Sequence, residues 1–121
     1  WVGRKGQEQL AKEMMKADIW LYPPPHQFRE IYCITALEAQ AAGVLCIYRQ
    51  NGALGETVGD RGIALKMDMS QDEIVKTILD TDKDDRCATI RDKARDYAMG
   101  RMWQGQADKF LRLYEMIDAA H

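Results

Sequence analysis

The spacing of apolar residues changes along the first part of the chain. In residues 7 to 16, Leu10 and Met14 recur at helical spacing between charged positions, which predicts a short amphipathic helix. Residues 17 to 22 form a compact apolar and aromatic run, which is typical of a strand. The three prolines at 23 to 25 end it, because proline can neither donate to a sheet ladder nor continue a helix.

The order of helix and strand then repeats. Apolar residues recur every three or four positions over about 31 to 42, which predicts a second helix, and Gly43 ends it. Residues 44 to 48 are a short continuous apolar run, as in strands that crossover helices bury on both faces. A glycine-bearing loop over 49 to 59 follows, and residues 62 to 65 are predicted to be a last short strand.

The carboxyl-terminal half is predicted to be helical. Ser70 and Glu73 have the spacing of a capping box and mark a helix start. Three helices follow, over about 71 to 80, 84 to 99 and 104 to 119. The last one carries an apolar stripe: Ala107, Phe110, Leu111, Tyr114 and Ile117. Trp103 and Tyr114 are predicted to be core anchors, since large aromatic side chains dominate burial in small domains.

Alternation of helices with buried strands predicts an α/β fold. The pattern favours a parallel sheet with right-handed crossovers, followed by a helical carboxyl-terminal tail. In such sheets ligands bind at the carboxyl ends of the strands. We therefore expect functional residues in the segments that follow the strands, 23 to 30 and 49 to 57.

Composition excludes several classes of function. The 121 residues suffice for one domain, and 17 basic against 19 acidic side chains give a net charge of −2, which predicts no nucleic-acid partner. The three cysteines are odd in number and lack CxxC spacing, and Cys33 and Cys46 lie in apolar stretches. We expect a reducing, cytoplasmic compartment. No apolar run approaches the ~18 residues of a membrane span, whereas peripheral membrane attachment stays open.

Two glutamates carry the candidate chemistry. Glu30 and Glu38 bracket the first two turns of the predicted central helix, and helical geometry would separate them by roughly 12 Å along the axis and about 80° around it. Between them, free N–H groups over 31 to 34 would offer an anion site at the positive helix end. Carboxylates bind sugar diols well. A nucleotide sugar carries hydroxyls, then a diphosphate, then more hydroxyls, and it therefore matches the order carboxylate, anion site, carboxylate.

Each candidate also has a structural interpretation. In that interpretation Glu30 complements the helix dipole and has no other role. Glu38 is harder to explain in this way, because it lies in an apolar helix where a carboxylate is costly unless it is paired or bound to a ligand. Arg29 either contacts phosphate or only flanks Glu30. The glycines of the 49 to 59 loop could merely supply turns with positive φ. His26 is interpreted as a solvated loop residue without a catalytic role.

Residues 30 to 44 resemble a known motif. They are similar to the E-x7-E segment of GT-B retaining glycosyltransferases of the group 1 type, roughly E-x-F-G-x-x-x-L-E-A-M-A-x-G-x-P-V. Residues 17 to 23 resemble the "a-D-v-x-v-x-P-S" strand and turn of that family, and 51 to 56 resemble its "G-G-x-x-E" loop. Met102-Trp103 and Tyr114 resemble elements near its carboxyl terminus. Nearly the whole chain is covered in the right order.

The resemblance implies a donor site for a nucleoside diphosphate sugar. Glu30 would be catalytic and face the hydroxyls of the transferred sugar, and Glu38 would hold the ribose. The remaining donor-binding positions implied are Tyr32, Cys33 and Ile34 at the diphosphate, Gly52 and Gly55 in the closing loop, Arg29, and Arg4 near the base. Transfer would retain the anomeric configuration and would need no cofactor and no essential metal.

The sequence departs from the family pattern at three positions. Cys33 stands where the family usually has glycine, which is expected either to tighten or to shift the approach of the backbone to phosphate. Gln40 and Leu45 replace the usual methionine and proline. The basic residues that the family uses against the leaving diphosphate would lie upstream of Trp1.

The resemblance also sets the domain organisation that we expect. Residues 1 to 121 are interpreted as the carboxyl-terminal, Rossmann-like donor domain of a GT-B enzyme, truncated at the amino terminus, with Trp1-Val2-Gly3 as a strand end. The missing amino-terminal domain would bind the acceptor, so this chain alone is expected to be inactive. Strand 18 to 22 would then have an unpaired edge, which predicts either a homodimer through that edge or a rearranged amino terminus. The alternatives are a non-catalytic nucleotide or sugar-phosphate binding module, and an interaction domain without a ligand.

Overall fold

The computed structural model describes residues 2–120. Trp1, and with it the first residue of the predicted strand end, lies outside the described residues, and Val2 and Gly3 belong to no strand. The main elements are α1 (Gln7–Met14), β1 (Ile19–Tyr22), α2 (Ile34–Ala41), β2 (Leu45–Arg49), α3 (Leu54–Thr57), β3 (Ile63–Leu65), α4 (Gln71–Asp80), α5 (Arg86–Met99) and α6 (Trp103–Ala119).

The sheet has three parallel strands in the order β1-β2-β3. Ile19 pairs with Leu45, and Ile47 pairs with Ile63. Parallel neighbours need crossover connections, which α2 supplies between β1 and β2. The predicted α/β class with a parallel sheet is therefore confirmed, and it fits a Rossmann-like partial domain with a helical tail.

Both faces of β2 are buried, as the continuous apolar run predicts. Cys46 and Tyr48 point to a cluster that also contains residues of α2, together with Leu54 and Val58. Leu45 and Ile47 point to the opposite cluster, which packs against α4 and α5. The alternation follows from the two-residue period of a strand.

Local signals mark several helix ends correctly. Gly43 adopts φ 77°, and the N–H groups of Gly43 and Val44 donate to the carbonyls of Gln40 and Ala39, both at 3.0 Å. This pattern is a Schellman motif, which ends α2 where the glycine predicts. The Ser70 hydroxyl accepts from the Glu73 N–H, and the Glu73 carboxylate accepts from the Ser70 N–H, so the capping box of α4 is confirmed.

Two predicted segments differ from the structure near the carboxyl ends of β1 and β2. The central helix begins at Ile34 rather than at about Ile31, because Cys33 has φ 57° and cannot continue a right-handed helix. The loop predicted over 49 to 59 is not irregular throughout, since it contains the short helix α3.

The prediction that Trp103 and Tyr114 are core anchors is wrong. Trp103 is 83% exposed and Tyr114 is 64% exposed. No described residue of α6 is buried, and the large side chains of its apolar stripe are exposed. The small apolar residues Ala94 and Ala98 of α5 pack against α2 instead and close that side of the core.

Three further features concern the thiols, the edge of the sheet and the helix lengths. Cys33, Cys46 and Cys87 are free thiols. Strand β1 pairs with β2 on one side and lies at an edge of the sheet within the described residues. Self-association through this edge stays a prediction. From residue 2 to residue 120, no helix combines the length and the apolar character that a bilayer crossing requires.

Candidate functional site

The loops that follow β1 and β2 meet at the carboxyl edge of the sheet. The Arg49 guanidinium donates from Nη1 to the Pro24 carbonyl at 3.3 Å, and the Asn51 amide donates from Nδ2 to the Pro25 carbonyl at 3.1 Å. Both contacts tie the segment after β2 to the proline segment after β1. The structure thus brings together the two segments in which the sequence places function.

Glu30 is held at this edge by its main chain. The Ala53 N–H donates to the Glu30 carbonyl at 2.9 Å. Gly52 has φ 55°, and a Cβ at that position would overlap the Glu30 carbonyl oxygen. Position 52 therefore requires glycine, both for its positive φ and because the main chain of Glu30 approaches it closely.

Glu30 lines a cavity of about 590 Å³. Its walls are Trp20, Tyr22, Glu30, Tyr32, Cys33, Ile34 and Thr35. The cavity therefore joins the end of β1, the segment before α2, and the first turn of α2. Four predicted site residues, Glu30, Tyr32, Cys33 and Ile34, lie together in it.

Tyr22 is a site residue that the sequence reasoning missed. Its hydroxyl donates to Glu30 Oε1 at 2.5 Å. The hydrogen bond to Glu30, followed by burial and the negative charge of Glu30, raises the pKa of Tyr22 to about 12. The Trp20 ring stacks on Tyr22 with ring centres 5.1 Å apart. The sequence signal for Tyr22 is its position: it carries a polar hydroxyl and is the last residue of a strand, at the end where ligands bind.

The amino terminus of α2 opens into the same cavity. Its first N–H groups, at Ile34 and Thr35, have no carbonyl four residues earlier within the helix. Cys33 precedes them in the left-handed conformation, with φ 57° and ψ 70°. Burial raises the pKa of the Cys33 thiol above its ordinary value, so this side chain contributes no negative charge near neutral pH.

The expected helical relation between Glu30 and Glu38 is wrong. Glu30 lies four residues before α2 begins, so the segment between the two glutamates is only partly helical. Glu38 is also exposed, and the argument from the cost of burying its carboxylate in an apolar helix therefore fails. The two carboxylates do not share one cavity.

Glu38 lies instead between two apolar grooves of about 290 Å³ each. The first is formed against α1 by Gln7, Leu10, Ala11, Met14, Met15, Ala41 and Ala42. The second runs toward the start of α6 along Tyr32, Ile34, Leu37, Ala41, Ala98, Arg101, Met102, Trp103 and Gln106. Tyr32 and Ile34 line both this second groove and the cavity of Glu30, so the two glutamate regions adjoin.

The glycine-bearing loop is braced from both sides. The Thr57 hydroxyl donates to the Tyr32 carbonyl at 2.8 Å, and the buried Gln40 amide donates to the carbonyls of Thr57 at 3.0 Å and Ala36 at 3.1 Å. These bonds connect α3 to α2 and to the segment before it. Gly55 lies within α3 without positive φ, so the turn interpretation fails for this glycine.

Further contacts fix the far end of this loop. Arg61 donates from Nη2 to the Glu56 carbonyl at 2.6 Å, and its guanidinium carbon stands 3.6 Å from the centre of the Tyr97 ring. Arg101 covers the same ring at 4.6 Å. These cation–π contacts stabilise the Arg61 end of the loop, and neither arginine lines the cavity of Glu30.

The remaining predicted positions are peripheral. Arg4 and Arg29 are exposed, and neither lines the cavity of Glu30 or the two grooves of Glu38. His26 is exposed as well. Within residues 2–120, the structure places no three His, Cys, Asp or Glu side chains so that they could hold a metal ion.

Comparison with known proteins gives one family. The family model described as "Glycosyl transferases group 1" matches residues 1–99, which extend from the amino terminus to the end of α5. The match includes the sheet, the cavity of Glu30 and the loop of Gly52. No curated protein matches the chain.

Proposed function

Since this chain belongs to the group 1 glycosyl transferases, we propose that it is the carboxyl-terminal donor domain of a GT-B enzyme. Its ligand would be a nucleoside diphosphate sugar, from which the enzyme transfers the glycosyl group with retention of configuration. The observation that carries the proposal is the order of groups at the carboxyl edge of the sheet. Glu30, the first N–H groups of α2, and Glu38 follow one another along adjoining cavities that share Tyr32 and Ile34.

Each part of such a ligand has a matching group. The Glu30 carboxylate is proposed as the catalytic group that faces the sugar hydroxyls, because an ionised carboxylate accepts strong hydrogen bonds from a diol. The diphosphate would lie along Tyr32, Cys33 and Ile34 at the positive end of α2. Glu38 would accept from the ribose hydroxyls, and its exposure leaves both oxygens accessible.

The loop after β2 would complete the site. Gly52 and Gly55 are proposed as the positions at which this loop closes over the sugar and its phosphate, supported by the bonds of Thr57 and Gln40 that brace the loop. Arg29 and Arg4, which are exposed, are proposed as outer contacts to phosphate and base. Catalysis of this type rests on positioning and on stabilisation of the leaving diphosphate, without an essential metal.

The organisation of the whole enzyme follows from this assignment. We propose that residues 1 to 121 belong to a larger cytoplasmic protein whose other domain binds the acceptor, and that this chain alone binds the donor without transferring its sugar. A homodimer through β1 would cover the edge of this strand that no other strand of residues 2–120 pairs with.

Calorimetric titration of the chain with UDP, GDP and ADP tests the assignment of Glu38. Glu38→Ala should abolish detectable binding of the nucleotide that the wild-type chain prefers. Glu115→Ala is the matched control, because Glu115 is an exposed glutamate on α6 that lines neither groove. Unchanged affinity in Glu38→Ala would remove Glu38 from the site. Binding without turnover by the full-length protein would favour the non-catalytic nucleotide module.

A further inference from the structure

The Glu30 carboxylate has one side-chain hydrogen-bond partner among residues 2–120. Tyr22 Oη donates to its Oε1 atom, and both residues line the same cavity. The bond spans eight positions in sequence and joins the end of β1 to the segment before α2. We propose that Tyr22 is a positioning residue, which turns the Glu30 carboxylate toward the sugar of the donor. This inference rests on the proposed function of the cavity.

The tyrosine end of the contact is rigid. Tyr22 is the last residue of β1 and pairs with Tyr48 of the central strand. Trp20 lies two residues earlier, on the same face of the strand, and stacks on the Tyr22 ring at an angle of 27°. Both rings pack against the core cluster that contains Cys46 and Tyr48. The Tyr22 hydroxyl therefore has a fixed position relative to the sheet.

The glutamate end is fixed through its main chain. The Ala53 N–H donates to the Glu30 carbonyl, and Gly52 packs against the Glu30 backbone. These contacts leave the side-chain torsions of Glu30 free, because they involve backbone atoms alone. The hydrogen bond from Tyr22 selects one orientation of the carboxylate from those that remain.

The contact leaves the carboxylate able to bind a ligand. An ionised carboxylate has two oxygens with about four acceptor sites, and Tyr22 uses one site on Oε1. The Oε2 atom is left for hydroxyl groups of the sugar. Because the pKa of Tyr22 is about 12, its hydroxyl stays protonated and donates throughout the neutral range.

The test separates the sugar from the nucleotide. Dissociation constants are measured calorimetrically for UDP, GDP and ADP and for their glucose conjugates, with wild type and Tyr22→Phe. Tyr22→Phe should weaken binding of the preferred conjugate about tenfold, as expected for the disturbance of one charge-assisted hydrogen bond, while binding of the free nucleotide stays unchanged. In a Glu30→Ala background, Tyr22→Phe should have no further effect, since Tyr22 acts through Glu30.

Tyr48→Phe is the matched control. The Tyr48 hydroxyl donates to the Gly59 carbonyl at 3.1 Å, so this variant also removes one tyrosine hydrogen bond from the same sheet but leaves Glu30 untouched. It should leave the difference in affinity between the glucose conjugate and the free nucleotide unchanged. An equal effect of Tyr22→Phe and Tyr48→Phe on that difference overturns the positioning role. Failure of the wild-type chain to bind any of the six compounds overturns the proposed function instead.

Discussion

Gly52 lies directly against the main chain of Glu30. Its α-carbon is so close that a Cβ would overlap the Glu30 carbonyl oxygen and would stand 2.9 Å from the Glu30 nitrogen. The next residue, Ala53, donates its N–H to the same carbonyl. The position of the proposed catalytic carboxylate therefore depends on a glycine in the loop that follows the neighbouring strand.

Gly52→Ala should destabilise the chain by about 3 kcal/mol. The left-handed φ of 55° costs any other residue about 1–2 kcal/mol, and the overlap with backbone adds a similar amount. Gly43→Ala is the matched control, because Gly43 has φ 77° with open space around its Cβ position. This substitution should lose only the stability that the left-handed φ costs. Urea denaturation measures both changes. Equal losses in the two variants would show that Gly52 does not press on Glu30.

Cys33→Gly should be more stable than Cys33→Ala by about 1 kcal/mol. Both variants remove the half-buried thiol, but alanine keeps the strain of a left-handed conformation and glycine does not. The comparison is made by thermal or urea unfolding of the two variants in parallel. If Cys33→Ala were the more stable of the two, the left-handed conformation before α2 would be wrong.

Gln40→Met should change the free energy of unfolding by less than about 1.5 kcal/mol, and Gln40→Ala should reduce it by about 2–5 kcal/mol. Gln40 is completely buried, and its Oε1 atom has no hydrogen-bond partner among the described residues. Methionine fills the same volume without that unsatisfied oxygen, whereas alanine leaves a cavity. Similar losses in both variants, measured by urea denaturation, would mean that the two hydrogen bonds of Gln40 outweigh its packing.

Alkaline pH should weaken the contact between Tyr22 and Glu30. The pKa of Tyr22 is raised from 10.0 to about 12, so the stabilisation is complete below pH 10 and is lost as the pH rises toward 12. The free energy of unfolding of wild type should therefore fall more steeply over this window than that of Tyr22→Phe. Parallel curves for the two proteins would contradict the hydrogen bond.

Most of the fold follows from local patterns in the sequence. The apolar run at 44 to 48 identifies the central strand because both of its faces are covered, and Gly43 and Ser70 mark helix ends through backbone chemistry that acts within a few residues. The start of the central helix was less accessible. The periodicity predicts about Ile31, whereas α2 begins at Ile34, because Cys33 adopts a left-handed conformation that few residues other than glycine favour.

The candidate site was only partly predictable. The segments after the strands could be named in advance, since the edge of a parallel sheet gathers them. The position of Tyr22 at the end of its strand was a signal, but its partner was not predictable, because the bond to Glu30 joins two side chains eight positions apart across an irregular segment. The buried role expected for Trp103 failed because helical periodicity shows which residues share a face and does not show what covers that face.

Thermal unfolding of the chain with UDP, GDP and ADP and their glucose conjugates tests the donor-site assignment most directly. A ligand present at 100 times its dissociation constant should stabilise the chain by about 2.7 kcal/mol and raise the midpoint by several degrees. We expect one nucleotide class to give this shift with wild type and Glu115→Ala, and to give none with Glu38→Ala. A midpoint that stays constant with all six compounds, or that shifts equally in Glu38→Ala, would contradict a donor site at this edge of the sheet.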